Sequence, residues 1–519
     1  MKLKYWRTIC VGFAFFLICA FWQAYDNIIP KILTDKFGMA QGWSGVIMAL
    51  DNILALFMLP LFGALSDKCR SKRGRRTPFI IVGTVVAVVA FVSLSFIDNA
   101  QLKVLHSGAD MTDKGVSVVY NYDGIADAEL STHDGEKYVL SEKYTEDELI
   151  AVLGRINGED AEDAKAAQNE WDTYFVPARQ AYAAKKTADH RLILVMFMLV
   201  LLVTLVAMST FRSPAVALMP DVTIKPLRSK ANAIINLMGS FGGILVLALG
   251  IVFGTGKSQN AMMSYTVFFM VIGAIMLVAL VIFLLTVNEP KFVKEMEEES
   301  KRYGIDDSED NGEGTRKLSK AELTSLILIL ASVALWYFGY NAVTSKYSVY
   351  AGKVLNLDYN MTLIIAQAAA IISYLPVGII SSKIGRKKAI LAGVVMLTTA
   401  FFVASFLRAG SPAMLMNCMF ALAGIGWATI NVNSFPMVVE LAKGGTVGKY
   451  TGYYYTASMA AQVLTPILSG FLMDGLGLRI LFPYATVFVA LAFVTMLFVK
   501  HGDNKPTAKT GLEAFDVDE

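Results

Sequence analysis

Residues 63–80 read GALSDKCRSKRGRRTPFI. Six cations (Lys68, Arg70, Lys72, Arg73, Arg75 and Arg76) fall within nine residues, with Asp67 just ahead of them. The flanks are nearly all apolar: VIMALDNILALFMLPLF over 46–62 and FIIVGTVVAVVAFVSLSF over 79–96. A cationic cluster this dense can grip nucleic acid, address a nucleus or mark one side of a membrane, and the flanks choose the last.

Composition agrees. The 519 residues are 55% hydrophobic and 17% charged, where soluble domains average about 25% charged. A formal net charge of +3 lacks the dominant basic surface of a nucleic-acid binder. The four cysteines (Cys10, Cys19, Cys69 and Cys418) lie in or beside apolar runs, without metal-ligand spacing, so no disulfide framework is expected.

Crossing ~30 Å of hydrocarbon takes about 20 apolar residues. Twelve segments qualify: 8–29, 44–65, 78–97, 190–211, 231–254, 264–286, 322–343, 361–381, 389–407, 412–436, 451–473 and 480–499. The first carries Trp22, Asp26 and Asn27 and is read as a retained span rather than a leader. Pro436 and Pro466 interrupt the tenth and eleventh, which neighbouring helices or a cavity can tolerate. The positive-inside rule puts the 66–77 cluster, Arg228, Lys230, Lys383, Arg386, Lys387 and Lys388 on the cytoplasmic side, with both termini.

The expected organisation is an N-terminal six-helix bundle from 1–97 and 190–287, and a C-terminal bundle over 321–500. An acidic insertion at 98–189 lies outside, a charged linker at 288–320 and a tail at 501–519 inside. The insertion contains an amphipathic helical pattern and a strand-like VSVVYNYDG, so a small ordered cap is expected. The halves repeat. A shift of 315 places Tyr25-Asp26 on Tyr340-Asn341, Lys31 on Lys346, Gly63 on Gly378 and Ser66 on Ser381. Duplicated six-span halves place a substrate site near mid-membrane between them.

Gly63, Asp67 and Gly74-Arg75-Arg76 after the second span resemble the signature loop of the major facilitator superfamily. The longer SDKCRSKRGRRTPFI is similar to that loop in plant sucrose:proton symporters and solute carrier family 45, within the glycoside–pentoside–hexuronide:cation symporters. RSKANAIINLMGSFGG at 228–243 resembles the start of that family's fifth span. The resemblance implies an all-α fold of two pseudo-symmetric six-helix bundles carrying a sugar with a cation. Melibiose-type carriers have an acid directly before the proline that is Pro60 here, where this chain has Leu59. They also have a sugar-binding acid where this chain places Arg212. These departures favour H⁺ over Na⁺ as the coupling ion.

Gly63, Asp67, Arg75 and Arg76, with Asp221 and Glu440 as pairing acids, form the expected cytoplasmic gate; topology and helix capping are the plainer reading. Charges inside spans are costly and face an interior or one another. Asp26 and Asp51 are thus the expected proton-coupling pair, since a carboxyl there can load a proton on one side and release it on the other. Arg212 is either their counter-ion or a side chain snorkelling at the cytoplasmic edge. Gln23, Asp26, Asn27 and Pro30 share one stripe of the first span. With Asn52, Arg212, Trp22, Trp336, Tyr340, Asn341, Gln367, Trp427, Asn431 and Asn433 they offer the amides and aromatic faces that bind sugars. The histidines lie outside the span cores, which leaves proton transfer to carboxylates.

Proton-coupled symport of a disaccharide or glycoside such as sucrose or maltose is the expected function, by a monomer in the plasma membrane. No metal, other cofactor or nucleic-acid partner is expected. The alternatives are another cargo on the same scaffold, by drug efflux or nucleoside uptake, or a sensor working through the insertion. The chain has no P-loop, nucleophile elbow or metal-ligand cluster, so an enzyme is not expected.

Overall fold

Helices dominate the computed structural model, which describes residues 3–105, 126–127, 129–131, 136–156, 161–224, 227–256, 260–303, 319–439, 441 and 447–502. Twelve long helices follow the expected order. The first six are α1 Tyr5–Lys31, α2 Gln41–Lys68, α3 Thr77–Leu105, α4 Arg191–Asp221, α5 Arg228–Phe253 and α6 Thr266–Thr286. The second six are α7 Lys320–Tyr350, α8 Tyr359–Ile384, α9 Arg386–Ala404, α10 Ala413–Val439, α11 Val447–Leu476 and α12 Leu481–Leu497. Among the described residues, eleven stretches along them are long and apolar enough to cross a membrane, and α8 holds a shorter apolar stretch. A helix satisfies its own backbone polar groups, which hydrocarbon demands. Large side chains such as Leu199, Val252, Leu285, Ile372, Phe402 and Leu476 face outward, and this is a multi-pass membrane protein.

Each half has its own apolar core. Phe21, Tyr25, Phe91 and Phe269 centre the first, with Phe91 stacked on Phe269 at 4.1 Å. Tyr347, Phe420 and Phe482 centre the second. The repeat extends to a detail absent from the aligned residues: α1 and α7 each run on into a five-residue π-helical stretch, Ile32–Lys36 and Ala351–Leu355.

Ends are set by local chemistry. Ser319 and Glu322 form a capping box at the start of α7, and the Asp358 side chain accepts from Asn360 N to cap α8. Gly254 ends α5 at φ +67°, a left-handed conformation that glycine adopts without strain.

The expected insertion boundary at 98 is too early, because α3 continues to Leu105. Asp98 does not end the helix because Lys36 neutralises it at 2.6 Å, both side chains fully buried. Lys36 Nζ also donates to Met263 O at 2.7 Å. Asp98→Asn leaves that ammonium buried without its counter-charge, a loss of about 3–5 kcal/mol. The melting temperature of the detergent-solubilised protein should fall further for Asp98→Asn than for the apolar double variant Lys36→Met/Asp98→Leu. An equal or larger fall in the double variant would remove this account.

The insertion carries a two-stranded antiparallel ladder, β1 Glu129–Ser131 with β2 Lys137–Val139, in register Leu130 opposite Tyr138. The amphipathic helix expected there is Glu146–Ile156, burying Leu149 and Val152. They pack with Leu130, Tyr138, Trp171, Phe175 and Tyr182 into a third core that also takes in Leu105 of α3. VSVVYNYDG, at 116–124, lies outside the described residues, as does 304–318 of the linker; the linker begins as a helix, Glu289–Arg302.

At the insertion end the halves close through backbone. A Cβ on Gly45 of α2 would strike the carbonyl of Pro466 in α11, and one on Gly470 would strike that of Gln41. Asp474 of α11 accepts from the amides of Gln41 and Gly42, at 2.7 and 2.6 Å. Lys346, the repeat counterpart of Lys31, donates to Gln41 O at 2.9 Å, where α2 meets α11. Lys31 donates to Thr255 O at 2.6 Å, beside the junction of α5 with α8, and its ammonium lies 5.5 Å from the Tyr359 ring. Two lysines thus serve the two seams of one pseudo-symmetric closure.

Candidate substrate chamber

Three adjoining cavities lie between the halves, of about 340, 190 and 270 Å³. Asp26 lines all three. Its neighbours one helical turn apart, Trp22/Asp26 and Gln23/Asn27, present a polar stripe of α1 to the space, as the i, i+4 rule predicts. Asn27 Nδ2 is spent on Gln23 O at 2.7 Å.

The 190 Å³ cavity brings together Asp26, Asp51, Asn52 and Arg212 from the first half with Asn341 and Gln462 from the second. Asn52 Nδ2 donates to Asp51 Oδ1 at 2.8 Å. Arg212 lies on the wall of this cavity and the largest one, its guanidinium carbon 5.6 Å from the Trp22 ring centre. It faces both carboxylates' space rather than the edge of the bundle. Asp26 and Asn341, matched by the repeat, meet here: the first half keeps an acid where the second has a neutral amide.

Gln23 and Gln367 join the halves at 2.6 Å, and Gly243 of α5 makes room for both amides, its Cβ position lying 3.3 and 3.4 Å from their oxygens. Tyr340 lies face to face on Trp427, centroids 3.7 Å apart and planes 1° apart, along the 270 Å³ cavity. Three buried wall atoms have no partner among the described residues: Trp22 Nε1, Asn341 Nδ2 and Gln367 Oε1. Buried polar atoms are almost always satisfied, and these two donors and one acceptor lie just beneath the wall, where a small side-chain shift would present them to the cavity.

Three expected wall residues sit elsewhere. Trp336 belongs to the second core, because Ile329, Val333, Trp336, Val343 and Tyr347 form the buried stripe of α7 while Tyr340, Asn341 and Thr344 face the cavities. Asn433 is buried, with Nδ2 donated to Thr429 O at 2.8 Å within its own helix. Asn431 is half-buried and lines none of the three cavities. Sequence reasoning missed Asn236, Ser240, Tyr374, Ser345 and Gln462, which do line them. Gln462, alone in an apolar run four residues before Pro466, was the signal available.

The basic loop is knitted within the first half. Arg76 pairs with Asp67 at 2.5 Å and with Asp221 at 2.8 Å, and bonds Ser66, whose hydroxyl donates to Gly63 O. Arg75 pairs with Asp221 at 2.8 Å. Glu289, unforeseen from sequence, accepts from the amides of Arg75, Arg76 and Thr77 at 2.7–2.9 Å and so caps α3. Glu440 lies outside the described residues.

The sequence pattern described as Major Facilitator Superfamily matches residues 187–458 and 359–517, and that described as MFS/sugar transport protein matches 10–101. The putative glycoside/cation symporter YagG of Escherichia coli is 31% identical over 94 residues, 17% of this chain and 20% of its own. Sucrose transport protein SUC4 of Arabidopsis thaliana is 40% identical over 56 residues, 11% of each chain. Proton-associated sugar transporter A of Mus musculus is 31% identical over 101 residues, 19% of this chain and 12% of its own. The chain therefore matches a fifth or less of the length of these relatives. Among solved structures, the inward-open xylose transporter XylE of E. coli superposes with TM-score 0.56 at 13% identity, over 97% of this chain and 98% of that one. A POT family transporter reaches 0.57 at 9% identity, over 95% of each. At such identities the likeness is one of fold.

Proposed function

This chain belongs to the Major Facilitator Superfamily, and from that premise we propose that it carries a sugar, a disaccharide or other glycoside, together with a proton by alternating access. The observation that carries this reading is the shared cavity in which Asp26, Asp51 and Arg212 face Asn341, with unpartnered indole and amide groups on the surrounding wall. A sugar hydroxyl both donates and accepts, and so completes such groups once the wall turns them toward it. The stacked Tyr340–Trp427 pair offers an apolar face for a ring. The carboxylates supply a proton site that needs no other cofactor. Three relatives are named as a glycoside/cation symporter, a sucrose transporter and a proton-associated sugar transporter.

The bundles are 1–105, ending with α3, together with 190–287, and 321–500, in the plasma membrane, with the basic loop, linker and both termini cytoplasmic and the insertion outside. The conformation is then closed outward. The inter-half contacts at Gly45, Lys346 and Asp474 lie on the insertion side of Gln23–Gln367, and the largest cavity extends along α1 from Asp26 to Phe15, roughly 16 Å at 1.5 Å per residue. Asp67, Arg75, Arg76 and Asp221 brace the first half in this state and act as a cytoplasmic gate when the inner side shuts. Each chain holds a complete chamber and works as a monomer.

Cells lacking their own carriers, given this chain and labelled sucrose, maltose or related glycosides, should accumulate one of them above the external concentration and lose that accumulation with a proton uncoupler. No accumulation of any glycoside, or protons moving opposite to cargo, would overturn the reading.

A further inference from the structure

The insertion touches both halves. Its last helix, Val176–Asp189, is bound to the first. Gly38, at φ +64°, lies so close to the backbone of Gln180 and Ala184 that no side chain fits between them. Gln180 Nε2 donates to Met39 O at 3.3 Å, and Gln101 of α3 donates to Thr187 at 2.9 Å. The same glutamine reaches the second half: Lys353, in the π stretch after α7, donates to Gln180 Oε1 at 3.2 Å. Lys353 also forms an ion pair at 2.8 Å with Asp35, in the π stretch after α1, and both side chains are nearly fully buried.

Arg179 and Asp172 of the insertion border the same spot, around a void of about 20 Å³ with Lys31, Asp35 and Lys353. Burial pushes the Asp172 carboxyl up to about 8, against the pull of Gln168, Arg179 and Lys353. Asp172 is thus held mostly neutral at pH 7, which leaves Asp35 as the anion for Lys353. One cation of the second half is gripped by two elements of the first, one of them extramembranous.

These contacts exist only while the insertion end is shut. If the halves part there, Lys353 leaves with the second half, while the ties of Gln180 to Met39 and of Thr187 to Gln101 keep the insertion on the first. We propose that the insertion is a clasp, fixed to the first half and holding Lys353 through Gln180, that sets how often the chamber opens toward the insertion side. The inference rests on the alternating-access part of the function proposed above, and on nothing about the cargo.

The test reads access, not transport. In a full-length chain with the four cysteines changed to serine, Ser345→Cys puts a thiol on the chamber wall. A membrane-impermeant maleimide is added to intact cells in the absence of sugar. Gln180→Ala should raise the labelling rate by about ten- to hundredfold, the span expected for one hydrogen bond to a charged group. Gln180→Glu gives up the bond to Met39 O but leaves the Gln101–Thr187 tie and puts a carboxylate opposite Lys353, and should lower the rate below the parent's. Unfolding can mimic the rise but not the fall. Rates unchanged in both variants, or moving the same way, would overturn the clasp. With no sugar in the assay, a chain that proves to carry another cargo still answers the question.

Discussion

Asp26→Asn should abolish sugar-driven proton influx in reconstituted vesicles, and Asp51→Asn should do so as well. An ionisable group inside a span is tolerated where it faces a cavity or partner, and both line the cavity shared by the halves. The amide keeps shape and hydrogen bonding but carries no exchangeable charge, so it removes the proton site and spares the fold. Asp26 lines all three cavities, so its loss should also weaken sugar binding. Asp51 already accepts from Asn52, and its loss should leave downhill exchange of labelled sugar largely intact. The expected fall in influx is to background in each, because neither amide can load the transported proton. Coupling that survives in both variants would remove the assignment.

Gly45→Leu should nearly stop transport while the protein still reaches the membrane. The Gly45 Cβ position lies 3.2 Å from Ile467 Cα and closer still to the Pro466 carbonyl. These are backbone atoms that cannot swing aside, so α2 and α11 must separate. Forcing extra atoms into packed structure costs about 1–3 kcal/mol, which falls on the outward-closed state alone. A carrier needs both states in turn, so uptake should drop by about tenfold. Initial uptake rates normalised to surface protein measure it. Uptake within about twofold of the parent would show that the crossing opens without reference to Gly45.

The span order was legible because hydrocarbon leaves a helix no alternative, and the basic loop because its cations must stay in water. Which face of each helix looks inward was only partly legible. Asp26 and Asp51 declared themselves by the cost of charge in lipid. Trp336 and Tyr340, one turn apart in one apolar run, differ by the helix each packs against, which the sequence does not write down. Glu289 was hidden for another reason. It acts 212 to 214 residues from the amides it caps, in a segment that reads as an ordinary charged linker. The insertion boundary slipped because Asp98 looks like a span end until Lys36, from another helix, is placed beside it.

The two π stretches have a mechanical consequence. A π turn holds one residue more than the α turn it replaces, so rewinding either to α geometry swivels whatever it carries by about 100° around the helix axis. Asp35 rides on one and Lys353 on the other. Such rewinding would part the opposed charges at the rim of each bundle while the long helices beneath stay whole.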